Sequence, residues 1–144
     1  MPEDPLVSFN WFVTVGSIQA AFRECHGLGS ENEVIEYKAS NTFNQDLYQK
    51  QPGKLKWENI TLKRGITSDL ALWEWRKKVE EGHYDEARSN GSIVMYDQMG
   101  TPKAEWTFER GWPCKLSGPS LNAATDEVAI EEVVIAHEKL VRVK

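Results

Sequence analysis

Apolar and polar positions alternate with a period of two along most of this chain. Phe9, Trp11, Val13 and Val15 alternate with Asn10, Thr14 and Gly16, as a strand with one buried face requires. Residues 18–25 read as a second strand, entered through a tight Gly16-Ser17 turn. Residues 34–38 form a third, shorter one. In a fourth, Ile60 and Leu62 alternate with Thr61 and Lys63. Residues 93–97 follow, and a turn over 98–102 leads into 103–110. There Ala104, Trp106 and Phe108 share one face, while Lys103, Glu105, Thr107 and Glu109 share the other.

The last apolar stretch, 127–141, changes phase. Val128 and Ile130 have one parity, Val133 and Ile135 the other, so a strand that keeps all four buried must bulge or bend near Glu131-Glu132. One segment, 69–81, has helical spacing. Leu72, Trp75 and Val79 fall on one face, Thr67 or Ser68 stands where a cap is needed, and Gly82 supplies a stop. Asp69 near its start and Lys77 and Lys78 near its end suit the helix dipole. Residues 41–53 and 115–126 read as loops. The first is longer than a plain connection needs, which points to a task beyond linking strands.

Composition narrows the function. The chain has 144 residues, enough for one domain with its own core. A net charge of −5 argues against tight phosphate binding, which needs clustered Lys and Arg. Cys25 and Cys114 are too few for a disulfide framework and belong to no CxxC pair. Free thiols in a reducing compartment are the expectation. The N-terminal sequence is acidic where a signal peptide is basic, and no apolar run reaches the length of a membrane helix. The expected product is soluble at synthesis, in the cytoplasm.

Catalytic signatures are missing. His26, His83 and His137 lie far apart, without the ligand spacing of a local metal site. Cys25 and His26 are adjacent on a strand and point to opposite faces, a poor nucleophile–base pair. There is no nucleophile elbow, phosphate loop or dinucleotide fingerprint. Glu131-Glu132 and Glu80-Glu81 are the nearest approach to paired carboxylates, and consecutive glutamates read as a solvated face. Six tryptophans (Trp11, Trp57, Trp73, Trp75, Trp106, Trp112) fit core and interface packing. The competing reading is a monomeric ligand-binding β-barrel that uses them as a surface. No cofactor and no metal are expected.

Read together, these fragments resemble the tube proteins of contractile-tailed phages and extracellular contractile injection systems. The resemblance runs in order over nearly the whole chain. Phe9-Asn10-Trp11-Phe12-Val13 is followed by residues 22–28, then Pro52-Gly53-Lys54 and Ile60-Thr61-Leu62-Lys63-Arg64-Gly65. The helix with Leu72 and Trp75 comes next, then Trp112-Pro113, Asn122-Ala123, residues 127–131 and His137-Glu138-Lys139-Leu140. One departure is Lys38-Ala39-Ser40-Asn41, where the family often has a glycine-containing turn.

The resemblance implies a mainly β fold, two antiparallel sheets forming a β-barrel or sandwich, with one external helix. It also implies a homo-hexameric ring, rings stacked into a hollow tube, a sheath protein outside, and baseplate or cap proteins at the ends. Effector protein or DNA would pass through the lumen of a phage tail or injection particle. Three surfaces are expected to serve this assembly. Lys103, Glu105, Thr107 and Glu109 would line the lumen. Asn41, Asn44, Asp46, Tyr48 and Lys50 of the long loop would reach the next ring. Glu80, Glu81, Asp85 and Glu86 at the acidic helix end would meet basic residues of the sheath.

Overall fold

The computed structural model describes residues 10–40, 46–119 and 129–144. In chain order the elements are β1 (Trp11–Val15), β2 (Ile18–Phe22), β3 (Glu24–His26), β4 (Ser30–Ser40), β5 (Asp46–Trp57), β6 (Ile60–Gly65), α1 (Ala71–Glu80), α2 (Tyr84–Ala87), β7 (Ser89–Tyr96), β8 (Pro102–Ser117), β9 (Ile130–Ala136) and β10 (Lys139–Arg142). Every strand pairing is antiparallel.

The strands run in the order β2-β1-β7-β8-β9-β6-β3, with β10 also on β8. This path folds into two layers because the chain crosses between them within β8 and again from β2 to β3. The first half of β8 pairs with β7 and β10, and the second half pairs with β9. Between the halves Arg110 has φ 52°, and its N–H donates to Asn90 Oδ1 at 3.0 Å. At the next residue, Gly111, a Cβ would stand 2.3 Å from the Phe108 ring, so glycine is what lets the strand turn over that ring. On the other side of the sandwich, β2 and β3 are separated by Arg23 alone. Phe22 O accepts from Asn10 N in the first layer (3.2 Å), and Arg23 N donates to Lys63 O in the second (2.9 Å). Residues 18–25, expected as one strand, are instead two, β2 and β3, one in each layer, joined by a bend at Arg23.

The core lies between the layers. Val13, Phe22, Ile93 and Phe108 face Ile60, Leu62, Val133 and Ile135, all buried. Each large side chain removed from water contributes about 1.5–3 kcal/mol. The helix α1 adds Leu72, Trp75 and Val79 to this cluster, the face that its spacing predicts. The Trp75 indole N–H donates to Ala87 O at 2.6 Å, which fastens α2 beneath it. Capping differs from expectation. Thr67 Oγ1 accepts from the Asp69 N–H, and Asp69 Oδ1 accepts from the Ala71 N–H, while Leu70 at the cap itself has no side-chain bond. Gly82, at φ 85°, ends the helix as expected.

Two other expectations are corrected. Residues 34–38 belong to an 11-residue strand, and 46–53, taken for loop, belong to β5. This hairpin has both faces in water, so no apolar–polar alternation marks it. The inferred bulge near Glu131-Glu132 is also absent: β9 is regular against β6. Its inward positions are Glu131, Val133 and Ile135, all buried, while Ile130 points outward. A buried glutamate, not a bulge, produces the change of phase. Val128 lies outside the described residues.

Candidate functional site

Surface features dominate wherever function is sought. Among the described residues, no group of three His, Cys, Asp or Glu is placed to hold a metal. No described helix is long and apolar enough to cross a membrane. Cys25 and Cys114 are free thiols, and burial pushes the Cys25 thiol up to about 12.

The β4–β5 hairpin is the most exposed element. Its strands pair over their whole length, from Ser30 opposite Trp57 to Ser40 opposite Asp46, with an irregularity between Asn32 and Val34. They pack on each other and substantially on no other element among the described residues. At about 3.3 Å per residue, β4 is about 36 Å long. The ribbon carries apolar side chains into water: Val34 and Tyr48 are each 65% exposed, and Ile35, Tyr37, Leu47 and Leu55 are exposed too. Tyr37 OH donates to Gln49 Oε1 and accepts from Gln51 Nε2 at 3.1 Å, which stiffens one face. A lone two-stranded ribbon is marginal in water, and a run of exposed apolar groups marks a contact surface. Tyr48 and Lys50, expected on a loop, lie on β5 of this ribbon, as does the backbone of Asp46. Asn41 and Asn44 lie outside the described residues.

The two layers present two outer faces. Lys103, Glu105, Thr107 and Glu109 do share one, on the first half of β8. Lys103 Nζ lies 3.5 Å from Asp97 Oδ2. Asp97 is itself held below the usual carboxylate range by the Thr101 N–H, with Met99 N–H and Lys103 adding to the effect. The same face also carries Phe12 and Val94, which stand in register with Glu105, and Val141 opposite Thr107. The second layer's outer face carries Ile130 and Val134 beside a row of charges. Glu24 pairs with Lys63 and Lys63 with Glu132, a row of alternating charge across three strands, and Thr61 and Ser117 share that face.

The acidic helix end is as exposed as expected. Glu81 Oε1 lies 3.8 Å from Lys77 Nζ, Glu81 Oε2 lies 3.8 Å from His83 Nε2, and Asp85 lies 3.5 Å from Arg88. Glu80 and Glu86 have no ion pair among the described residues. Beside them, Val79, Tyr84, Arg88 and Trp112 line a groove of ≈ 290 Å³.

Sequence reasoning missed one internal site. Arg64 Nε donates to Glu131 Oε2 and the Trp73 indole N–H to Glu131 Oε1, both at 2.9 Å. Arg64 also lies over the Phe22 ring, 5.6 Å from its centroid. Glu131 was read as solvated, yet it is 3% exposed and Arg64 5%. The parity break along β9 was the available signal. Trp75 is buried, Trp11, Trp57, Trp106 and Trp112 pack against the core, and Trp73 alone is exposed.

Comparison with known proteins agrees with this picture of a building block. Residues 7–141 match the family model of the T4-like virus tail tube protein gp19. The fold is similar to a chain of the PVC extracellular contractile injection system sheath–tube complex. That match has TM-score 0.75 and 22% identity, covering 93% of this chain and 88% of the other. A chain of the PVC sheath/tube terminator aligns at TM-score 0.77 and 22% identity over 100% of both chains. Hcp1 from Flavobacterium johnsoniae aligns at TM-score 0.61 and 13% identity over 94% and 95%. No curated protein sequence matches.

Proposed function

The chain belongs to the T4-like virus tail tube protein family, and from that premise we propose how its surfaces build a tube. It is a structural inner-tube subunit of a contractile tail or injection system. Six copies close into a ring, and rings stack into a hollow conduit. A sheath surrounds it, a baseplate and a cap or terminator protein bound its ends, and cargo passes through its lumen. The work is assembly, not catalysis. The mature subunit resides in a phage tail or phage-tail-like particle after synthesis in the cytoplasm.

The observation that carries this reading is the β4–β5 ribbon, which leaves the body with apolar side chains on both faces that no described residue covers. A neighbouring ring supplies that cover. Heterologous contacts of this kind close or propagate according to their rotation. Ring closure draws on the second layer, whose four strands β8-β9-β6-β3 alternate in direction. An even number lets the next copy continue the alternation without a parallel junction. Six copies of four strands, about 4.8 Å apart and tilted about 40°, enclose a barrel roughly 45–50 Å across.

Two outer faces compete for the lumen. The Lys103, Glu105, Thr107, Glu109 face is the reading from sequence. The Glu24, Lys63, Glu132 face is the second, and one observation favours it: β4 and β5 continue β3 and β6, so the ribbon that spans rings extends the second layer. A continuous wall follows if that layer faces inward. Its alternating charges also suit a conduit that must release its cargo. The acidic helix end, Glu80, Glu81, Asp85 and Glu86, is then turned outward, toward basic residues of the sheath.

Replacing residues 34–52 by a short turn tests the proposal. Rings of six should still form, visible by mass photometry at six times the mass of one chain, while tubes are lost. Normal tubes from that variant would overturn the role of the ribbon.

A further inference from the structure

The hairpin joins the body through a narrow root, and one side chain of another element reaches into it. In the link between β3 and β4, Gly27 at φ 86° lies so close to the link between β5 and β6 that a Cβ would stand 2.0 Å from Asn59 O. The Glu58 N–H donates to Gly29 O at 3.1 Å. His137, in the link between β9 and β10, places Nε2 3.0 Å from Glu58 O. Its ring lies between Trp57, at 5.8 Å, and Phe108, at 6.2 Å.

His137 Nδ1 is buried with no hydrogen-bond partner among the described residues. A carbonyl only accepts, so Nε2 carries the proton of this bond. A buried polar atom without a partner is costly. An apolar ring would fill the same space without that cost. What the imidazole adds is the bond from Nε2 to the hairpin backbone.

The lever arm makes that bond matter. With β4 about 36 Å long, a rotation of about 10° at the root moves the tip by about 6 Å, more than the spacing between strands. Beyond the root, where Trp57 packs against the core, no other described element packs extensively on the ribbon. We propose that His137 is a positioning residue that sets the direction of the β4–β5 hairpin, and through it the fidelity with which one ring receives the next. The inference rests on the reading of the ribbon as the inter-ring contact.

Four variants test it by microscopy of tubes and mass photometry of rings. His137→Phe keeps the ring and loses the donor; it should form normal rings and shorten tubes at least several-fold. His137→Gln, whose amide reaches where Nε2 stands, should restore wild-type tube length. His137→Asn, whose amide stops short of Glu58, should not. Equal tube lengths for the Gln and Asn variants would overturn the proposal, even if the Phe variant fails to fold. The variant lacking residues 34–52 separates the two levels of argument. If it stacks normally, the ribbon itself is not the contact; if it fails while His137→Phe stacks like wild type, only the role of His137 is wrong.

Discussion

Arg64 and Glu131 face each other across the β6–β9 pairing, Nε to Oε2 at 2.9 Å, inside the core. The Trp73 indole N–H holds the second carboxylate oxygen, so the pair ties helix α1 to the second layer. Breaking one half leaves the other charge buried. Glu131→Gln should therefore lose about 3–5 kcal/mol of stability by denaturant titration. Arg64→Met with Glu131→Leu removes both charges and should recover most of that loss. Additive losses in the double variant would show that the two charges are not coupled and would contradict this reading.

Gly27→Ala should cost more than a surface substitution normally does. The position combines a positive φ, about 1–3 kcal/mol for a non-glycine residue, with a contact that a methyl group cannot make beside Asn59 O. Rings should be thermally weaker, with the hairpin amides exchanging fastest. A melting temperature equal to wild type would refute the tight root.

The Cys25 thiol is held protonated by burial, up to about 12 from 9.0. Its folded value is raised, so this contribution to stability is complete below the unfolded value and disappears as pH rises from about 9 toward 12. At pH 8 the native chain should react with a thiol reagent at Cys114 alone, and at both cysteines once unfolded. Rapid native labelling of Cys25 would contradict its packing.

How far the fold was legible depended on the surroundings of each strand. β1, β6 and the first half of β8 have one dry and one wet face, so alternation revealed them. The β4–β5 ribbon has water on both sides, and its Gln49, Gln51 and Tyr37 form a ladder that no period-two rule detects. Glu131 breaks the rule in the opposite sense, since a charge can occupy a core position when Arg64 waits across the strand. The assembly surfaces were harder still. The Lys103–Glu109 face was plain along the chain, but Phe12, Val94 and Val141 join it only through strand register.

Charge reversal separates the two candidate lumen faces. If the second layer lines the channel, Glu24→Lys with Glu132→Lys should leave tubes intact and alter cargo loading, while Glu105→Lys with Glu109→Lys should leave loading unchanged. The opposite pattern would return the lumen to the Lys103–Glu109 face. Reversal of Glu80, Glu81, Asp85 and Glu86 should reduce sheath attachment, most strongly at low salt.

Electron microscopy of the purified chain at rising concentration is the most direct test of a self-assembling subunit. The account predicts six-fold rings that stack end to end into hollow tubes. A population that stays monomeric at every concentration, with the β4–β5 ribbon still exposed to proteolysis, would contradict it.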